Sequence, residues 1–279
     1  MLQNSDVLYA IYIEGETKTG KGAASEAIAN ALKRHDISVY YDVAGDFFRR
    51  FTAIIRRELK LSPSDPLPPR EELIAIAVKL YKNAKAFSLD SSLGDLQRPE
   101  ISNCVSQLGE LPIAQEAAVD WYAQSVKQAH SSGAQVMVLD GRNPRRHVEG
   151  HVQDHNTRTI LDIYMTCQPT VAAQRVLLGD GIAKATIPQL EPIIQNITDR
   201  RQRDRQREEW PFWWPAVHLP FIPGQDSVTA AINASLQPTA SAELPLPIVI
   251  DNSYVPKPTM WKAVADLTLI ALATARGNL

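Results

Sequence analysis

Cysteine is scarce in this sequence. Cys104 and Cys167 are the only two, far apart, and neither has a CxxC partner or metal-ligand spacing. That rules out a disulfide framework and a cysteine-built metal centre, and points to two reduced core thiols in a cytoplasmic protein. An excess of charge is lacking too: 29 Lys and Arg stand against 31 Asp and Glu, a net charge of -2. A chain so balanced is not built to coat nucleic acid or an anionic membrane, so anion binding must come from local clusters. No stretch reaches the roughly 20 apolar residues of a membrane helix. Met1 to Asp6 shows no basic start leading into an apolar run. No internal repeat is present. What the 279 residues do have is 44% apolar content, enough for a sizeable core. One soluble domain spanning 1–279 is expected, without membrane or nucleic-acid partners.

The hydrophobic pattern predicts strands alternating with helices. Val7 to Ile13 (VLYAIYI) is a short apolar run rich in β-branched and aromatic residues, hence a buried strand. A Gly-rich turn follows, then helix-forming composition over Ala23 to Lys33 and a second strand at Ser38 to Tyr41. This opening is that of a parallel α/β sheet. Helices are expected at Phe47 to Leu59 and Glu71 to Lys82, and over a long region from Glu100 to Ala129 broken near Pro112. Further strands fall at Gln135 to Leu139, Thr159 to Met165 and Pro247 to Asp251. Further helices fall at Thr170 to Leu177, Pro188 to Arg207 and Trp261 to Ala275. Residues 208–247 carry WPFWWP and several prolines and read as an extra ordered loop or insertion, since those aromatics need something to pack on.

Three segments carry chemistry. Gly15, Glu16, Thr17, Lys18, Thr19, Gly20, Lys21 and Gly22 have the GxxxxGK spacing of a phosphate-binding loop between strand and helix. Glycines let backbone N–H groups turn inward, the helix N-terminus adds its dipole, and Lys21 reaches the outer phosphates. Gly22 stands where the general motif has a Ser or Thr for magnesium, and Glu16 is an awkward neighbour for a triphosphate. Asp140 ends a strand in the pattern hhhhD-G-R, where a carboxylate faces the loop across the sheet. There it can hold the water shell of Mg2+ bound with ATP, and Arg142 can touch transferred phosphate. Thr198 to Arg207 is dense in arginine, and on a helix Arg200, Asp204 and Arg207 share one face. Read alone, that segment is a solvated helix; beside a phosphate loop it is a set of guanidinium forks for charge stabilisation.

Taken together the residues resemble the bacterial cytidylate kinases, within the P-loop nucleoside monophosphate kinases. RPEISNCVSQLGELPIAQEAA (Arg98 to Ala118) resembles that family's R-x-x-E-V-S-N-A-A-S-Q-V-A-x-x-P-x-V-R-E-A. VMVLDGRN (Val136 to Asn143) resembles its strand ending in D-G-R-D, and DRRQRDRQR (Asp199 to Arg207) its E-R-D-x-R-D-x-x-R helix. The likeness covers about residues 7–207, with a weaker echo at IVIDNS. It implies an α/β P-loop NTPase fold: a parallel sheet flanked by helices, a monophosphate-binding insertion at 45–99, and a lid and arginine helix at 176–207. It further implies ATP and a nucleoside monophosphate as partners, Mg2+ as cofactor without a direct protein ligand, and a monomer. Lys21, Asp140, Arg142 and Arg200 are the catalytic candidates. Residues 15–23, ending at Ala23, would bind ATP. Arg49, Ser106, Gln115, Asn143, Arg200, Asp204 and Arg207 would bind the acceptor.

Four positions depart from the family. Ala23 replaces a Thr, Ala44 a Ser, Gln115 an Arg and Asn143 an Asp. Swapping a charge for an amide alters both the donor inventory and the edge recognised. The expected reaction is transfer of the ATP γ-phosphoryl group to CMP, dCMP or a related nucleotide. The alternatives are a catalytically weakened nucleotide-binding regulator, or a kinase for another acceptor. A lid around Val176 to Ile187 has Gly179 and Gly181 as hinges. His147, His151 and His155 recur every four residues, a zinc-binding face if helical; Gly150 and the family likeness favour an exposed loop.

Overall fold

The computed structural model describes residues 7–62, 64–82, 96, 101, 104–141, 143–152, 156–205, 217–219, 247–253 and 255–277. Side chains are described for all of these except 106, 203–205 and 217–219. Six strands, β1 (Leu8–Gly15), β2 (Val39–Val43), β3 (Val136–Asp140), β4 (Thr157–Thr166), β5 (Val217–Leu219) and β6 (Ile248–Asp251), form one sheet in the order β2-β3-β1-β4-β6-β5. Every neighbouring pair is parallel. Parallel strands need crossover helices, which cover both faces and leave the central strands dry. That is why β1 and β3 read as almost unbroken apolar runs: β1 is buried except at Gly15 and β3 throughout.

Side-chain alternation sorts β1 between two cores. Leu8, Ala10 and Tyr12 face helices α2 (Ala44–Glu58), α3 (Arg70–Lys82), α4 (Val105–Leu108), α5 (Pro112–Ser131) and α6 (Pro144–His151). Phe47, Phe51, Leu108, Ala118, Tyr122 and Val126 pack there. Tyr9, Ile11 and Ile13 face α1 (Lys21–Arg34) and α9 (Lys257–Ala275), with Ile28, Leu32, Val264 and Leu267. Helices α7 (Pro169–Gly179) and α8 (Ile187–Arg205) form a smaller cluster of their own around Ala172, Ala173 and Ile197. No helix among the described residues is long and apolar enough to cross a membrane.

Strand order reverses at β1. The chain leaves it through α1 to β2 on one side and later lays β4 on the other. The carboxyl ends of β1, β3 and β4 therefore open a crevice at this switch point, where α/β sheets bind ligands.

The helical region before β3 breaks at Pro112 as expected, into a one-turn α4 and then α5, which Pro112 opens at a first helical position. One expectation is corrected. His147 and His151 lie on a helix, α6, and not in an exposed loop. Pro144 opens that helix behind an Asn143 cap with φ 47, and His147 is buried. Gly150 is tolerated because it falls in the last turn. Strand β5 lies inside the segment 208–247; the remainder up to 246, with Trp210, Phe212, Trp213 and Trp214, falls outside the described residues.

Candidate active site

The loop from Gly15 to Gly20 is shaped by close approach and then pinned from outside. Gly15 has φ 147, and a Cβ there would lie 2.1 Å from the Met165 carbonyl oxygen of β4. Only glycine fits. Lys18 and Gly20 take left-handed φ values of 61 and 90, which fold the chain back to start α1. The Thr17 carbonyl accepts from Arg201 Nη2 at 3.2 Å, and the Thr19 carbonyl from Asn252 Nδ2 at 2.6 Å. In a planar trans peptide the C=O and the following N–H point opposite ways. Holding these carbonyls outward turns the N–H groups of Lys18 and Gly20 to the other side. Such a turn at a helix N-terminus is an anion cradle. Lys21 Nζ spans it, donating to the carbonyls of Gly15 at 2.9 Å and Glu16 at 3.0 Å.

Asp140 sits across from the loop at the end of β3, buried. A Cβ at Gly22 would lie 3.8 Å from its Oδ2, an ordinary van der Waals contact that places the carboxylate beside the start of α1. Burial pushes its pKa up to about 6, against the pull of the Lys21 and Arg49 charges and a hydrogen bond from Ser25. The Lys21 ammonium and the Arg49 guanidinium are thus within electrostatic reach of the Asp140 carboxylate. Arg49 is held by Asp46 Oδ1 at 2.8 Å. Ala44 is buried against the Asp140–Gly141 turn, where a Cβ on Gly141 would lie 2.8 Å from its methyl and 2.5 Å from the Tyr122 hydroxyl. Asn143 donates its backbone N–H to Glu14 Oε1 at 2.8 Å, which ties the start of α6 to the end of β1. Gln115 turns its amide inward to the Gly109 carbonyl.

Glu16 is not exposed to the cradle. It is 1% exposed, its Oε2 lies 2.8 Å from Arg201 Nη1, and it accepts from Thr166 Oγ1 at 2.8 Å. Its charge is neutralised under the loop, which removes the objection its sequence position raised. The same contact carries the last turn of α8 to the loop, with Arg200 the neighbouring, half-buried residue. Asp204 is on the helix four residues on, but its side chain, that of Ser106, and all of Arg142 and Arg207 lie outside the described residues.

Beside the cradle is a cavity of about 420 Å³, lined among others by Lys18, Arg175, Asn252, Val255 and Trp261. Arg175 donates to the Asn252 side-chain oxygen at 2.8 Å and its backbone carbonyl at 2.7 Å. Thus α7, the β6–α9 turn and the loop make one wall. Sequence reasoning missed Arg201, Arg175 and Asn252. Arg201 was in view within the arginine run and Asn252 within IVIDNS, while Arg175 has no motif around it.

His147 and His151 ring centroids are 6.3 Å apart, and His147 stacks on Tyr122 at 5.4 Å, an aromatic column that runs from buried Tyr122 and His147 out to exposed His151. His155 lies outside the described residues. Among the described residues no group of three or more His, Cys, Asp or Glu could hold a metal ion.

The family profile for cytidylate kinase matches residues 11–222, most of the chain, and the chain belongs to that family. A comparison with curated proteins finds no match.

Proposed function

We propose that this member of the cytidylate kinase family transfers the γ-phosphoryl group of ATP to CMP, dCMP or a related nucleoside monophosphate. The observation that carries the reading is the loop itself: Lys21 Nζ spans the Gly15 and Glu16 carbonyls, Arg201 and Asn252 hold the Thr17 and Thr19 carbonyls, and Asp140 lies buried beside Gly22. Phosphoryl transfer needs little covalent work from a protein; it needs positioning and charge stabilisation. Backbone N–H groups of residues 15–23 and the α1 N-terminus would hold the ATP phosphates. Lys21 would leave its two carbonyl partners for the outer phosphate oxygens. The cavity against Arg175 and Trp261 would take the ATP base. Arg49, Arg142 and Arg200 would neutralise the acceptor phosphate and the group in flight. Ser106, Gln115, Asn143, Asp204 and Arg207 would contact the acceptor nucleoside or its phosphate. Residues 176–187 would close over both, and Gly181, at φ 83, gives that turn a left-handed step.

The donor set fits magnesium held through water. Asp140 offers one buried carboxylate, and Gly22 offers no hydroxyl as a direct ligand. Bound with ATP, Mg2+ supplies neutralisation of the outer phosphate oxygens.

One observation favours a different acceptor within the same reaction. The Gln115 amide, where the family has Arg, is committed to the Gly109 carbonyl. A coupled assay with ATP, Mg2+ and a panel of monophosphates is the test. Turnover with at least one pyrimidine monophosphate is expected. Nucleotide binding with no turnover across the panel would replace the kinase by a regulatory binding protein. Lys21→Ala should lower kcat by about 10²- to 10³-fold, the scale of losing one charge-stabilising donor, with the melting temperature kept.

A further inference from the structure

Glu16 is the hub of the phosphate loop. Its N–H donates to the Met165 carbonyl at 3.0 Å, and its own carbonyl accepts from Lys21 Nζ and from Thr19 Oγ1 at 2.8 Å. Its carboxylate accepts from Thr166 Oγ1 and Arg201. Arg201 in turn donates to the Cys167 carbonyl at 2.5 Å and the Thr17 carbonyl at 3.2 Å. The two side chains are 0% and 5% exposed. A pair so buried gains little over apolar residues of the same size, because desolvation offsets attraction. What it supplies instead is geometry, since a planar fork accepts only one arrangement of its partners. Here those partners are the loop on one side and the end of β4 on the other.

We propose that Glu16 and Arg201 are a positioning pair for the reaction above, fixing the phosphate loop and the Arg200 turn of α8 through one buried contact. The inference rests on the phosphoryl-transfer reading. Neither side chain touches substrate; each acts by holding groups that do.

The test uses the full chain as wild type, Glu16→Gln, Arg201→Met and the double variant. Arg201→Met strands a buried carboxylate and should lose most of the melting temperature. The double variant, with no charge left to strand, should regain most of that loss. Its kcat should nevertheless stay about tenfold down and its KM for ATP about tenfold up, because neither loop nor Arg200 turn is fixed. A double variant that regains both melting temperature and kinetics would reduce the pair to a structural contact and overturn the proposal. If wild type phosphorylates no acceptor, the kinase reading fails by itself. The pair is then judged by ATP affinity and by amide hydrogen exchange. Weaker ATP binding with faster exchange in residues 15–21 and 187–201 together supports it, and wild-type values in the double variant overturn it.

Discussion

The two sides of the crevice, one proposed for the donor and one for the acceptor, are built differently. On the donor side, side chains from distant segments are spent on one another and on loop carbonyls: Arg201 on Thr17, Asn252 on Thr19, Arg175 on Asn252. A cradle of backbone amides works only if the backbone is already in place, so its supports are numerous and buried. On the side proposed for the acceptor, one described contact reaches far along the chain, Asn143 N–H to Glu14 Oε1, and two are local. Arg49 leans on Asp46 three residues away, and Gln115 on Gly109 six residues away. The departures from the family at Ala44, Gln115 and Asn143 all fall on this side. A polyphosphate is common to every nucleotide, whereas a base is not. On the proposed reading, the difference teaches that backbone positions the shared polyphosphate while replaceable side chains select the acceptor.

The sharpest break in that contrast is Asp140, which serves both sides. Asp140→Asn should lower kcat/KM by about two orders of magnitude, since it removes the only carboxylate described beside the cradle's Gly22. The same change should stabilise the fold at pH 7 to 8. With the folded pKa raised from 3.8 to about 6, the native state holds the proton longer than the unfolded chain does. Wild-type stability therefore falls as pH rises through that window, and the charge is buried at full cost above it. The melting-temperature gain of the Asn variant should disappear below about pH 4, and wild-type activity should fall as pH drops through about 6. A melting temperature that is unchanged at pH 8 would mean the carboxylate is better solvated than its burial implies.

Next in size is Asn252→Ala, a probe of the donor side alone. It leaves the Thr19 carbonyl and Arg175 Nη1 without their partner, while Arg175 Nη2 keeps the backbone carbonyl, at a cost to stability of about 1–3 kcal/mol. KM for ATP should rise about tenfold while KM for the acceptor holds. Equal changes in both would blur the division between the two sides.

The smallest effect is expected from Gln115→Arg. Restoring a guanidinium beside the acceptor phosphate should raise kcat/KM for CMP by roughly tenfold, the worth of a charge-assisted hydrogen bond, with KM for ATP unmoved. Steady-state kinetics with two or three acceptors would show whether the gain is general or confined to CMP.

Much of this was legible beforehand. The strands and their parallel arrangement follow from continuous apolar runs alternating with helical patterns. The loop follows from Gly15, Gly20 and Lys21 at fixed spacing. Gly150 and the family likeness misled at the histidines: HVEGH forms a helix, as the four-residue spacing allowed, because Pro144 and the Asn143 cap start one, while Gly150 at its end interrupts nothing. Glu16 misled for a different reason. A carboxylate beside a phosphate loop is unfavourable only if it faces the phosphate, and facing is not encoded in spacing.

The amino-acid order by itself determined the order and type of most elements, which strand ends carry polar groups, and which family the motifs belong to. Those are properties of neighbours along the chain, set by period, by glycine's conformational freedom and by the chemistry of single residues. Only the tertiary structure decided that Arg201 and not Arg200 seals Glu16, that Asn252 and Arg175 brace the loop, and that burial lifts the Asp140 pKa. These depend on which distant segments share a dry volume. Both desolvation and the reach of a guanidinium fork are decided by distance in space, which no local pattern records.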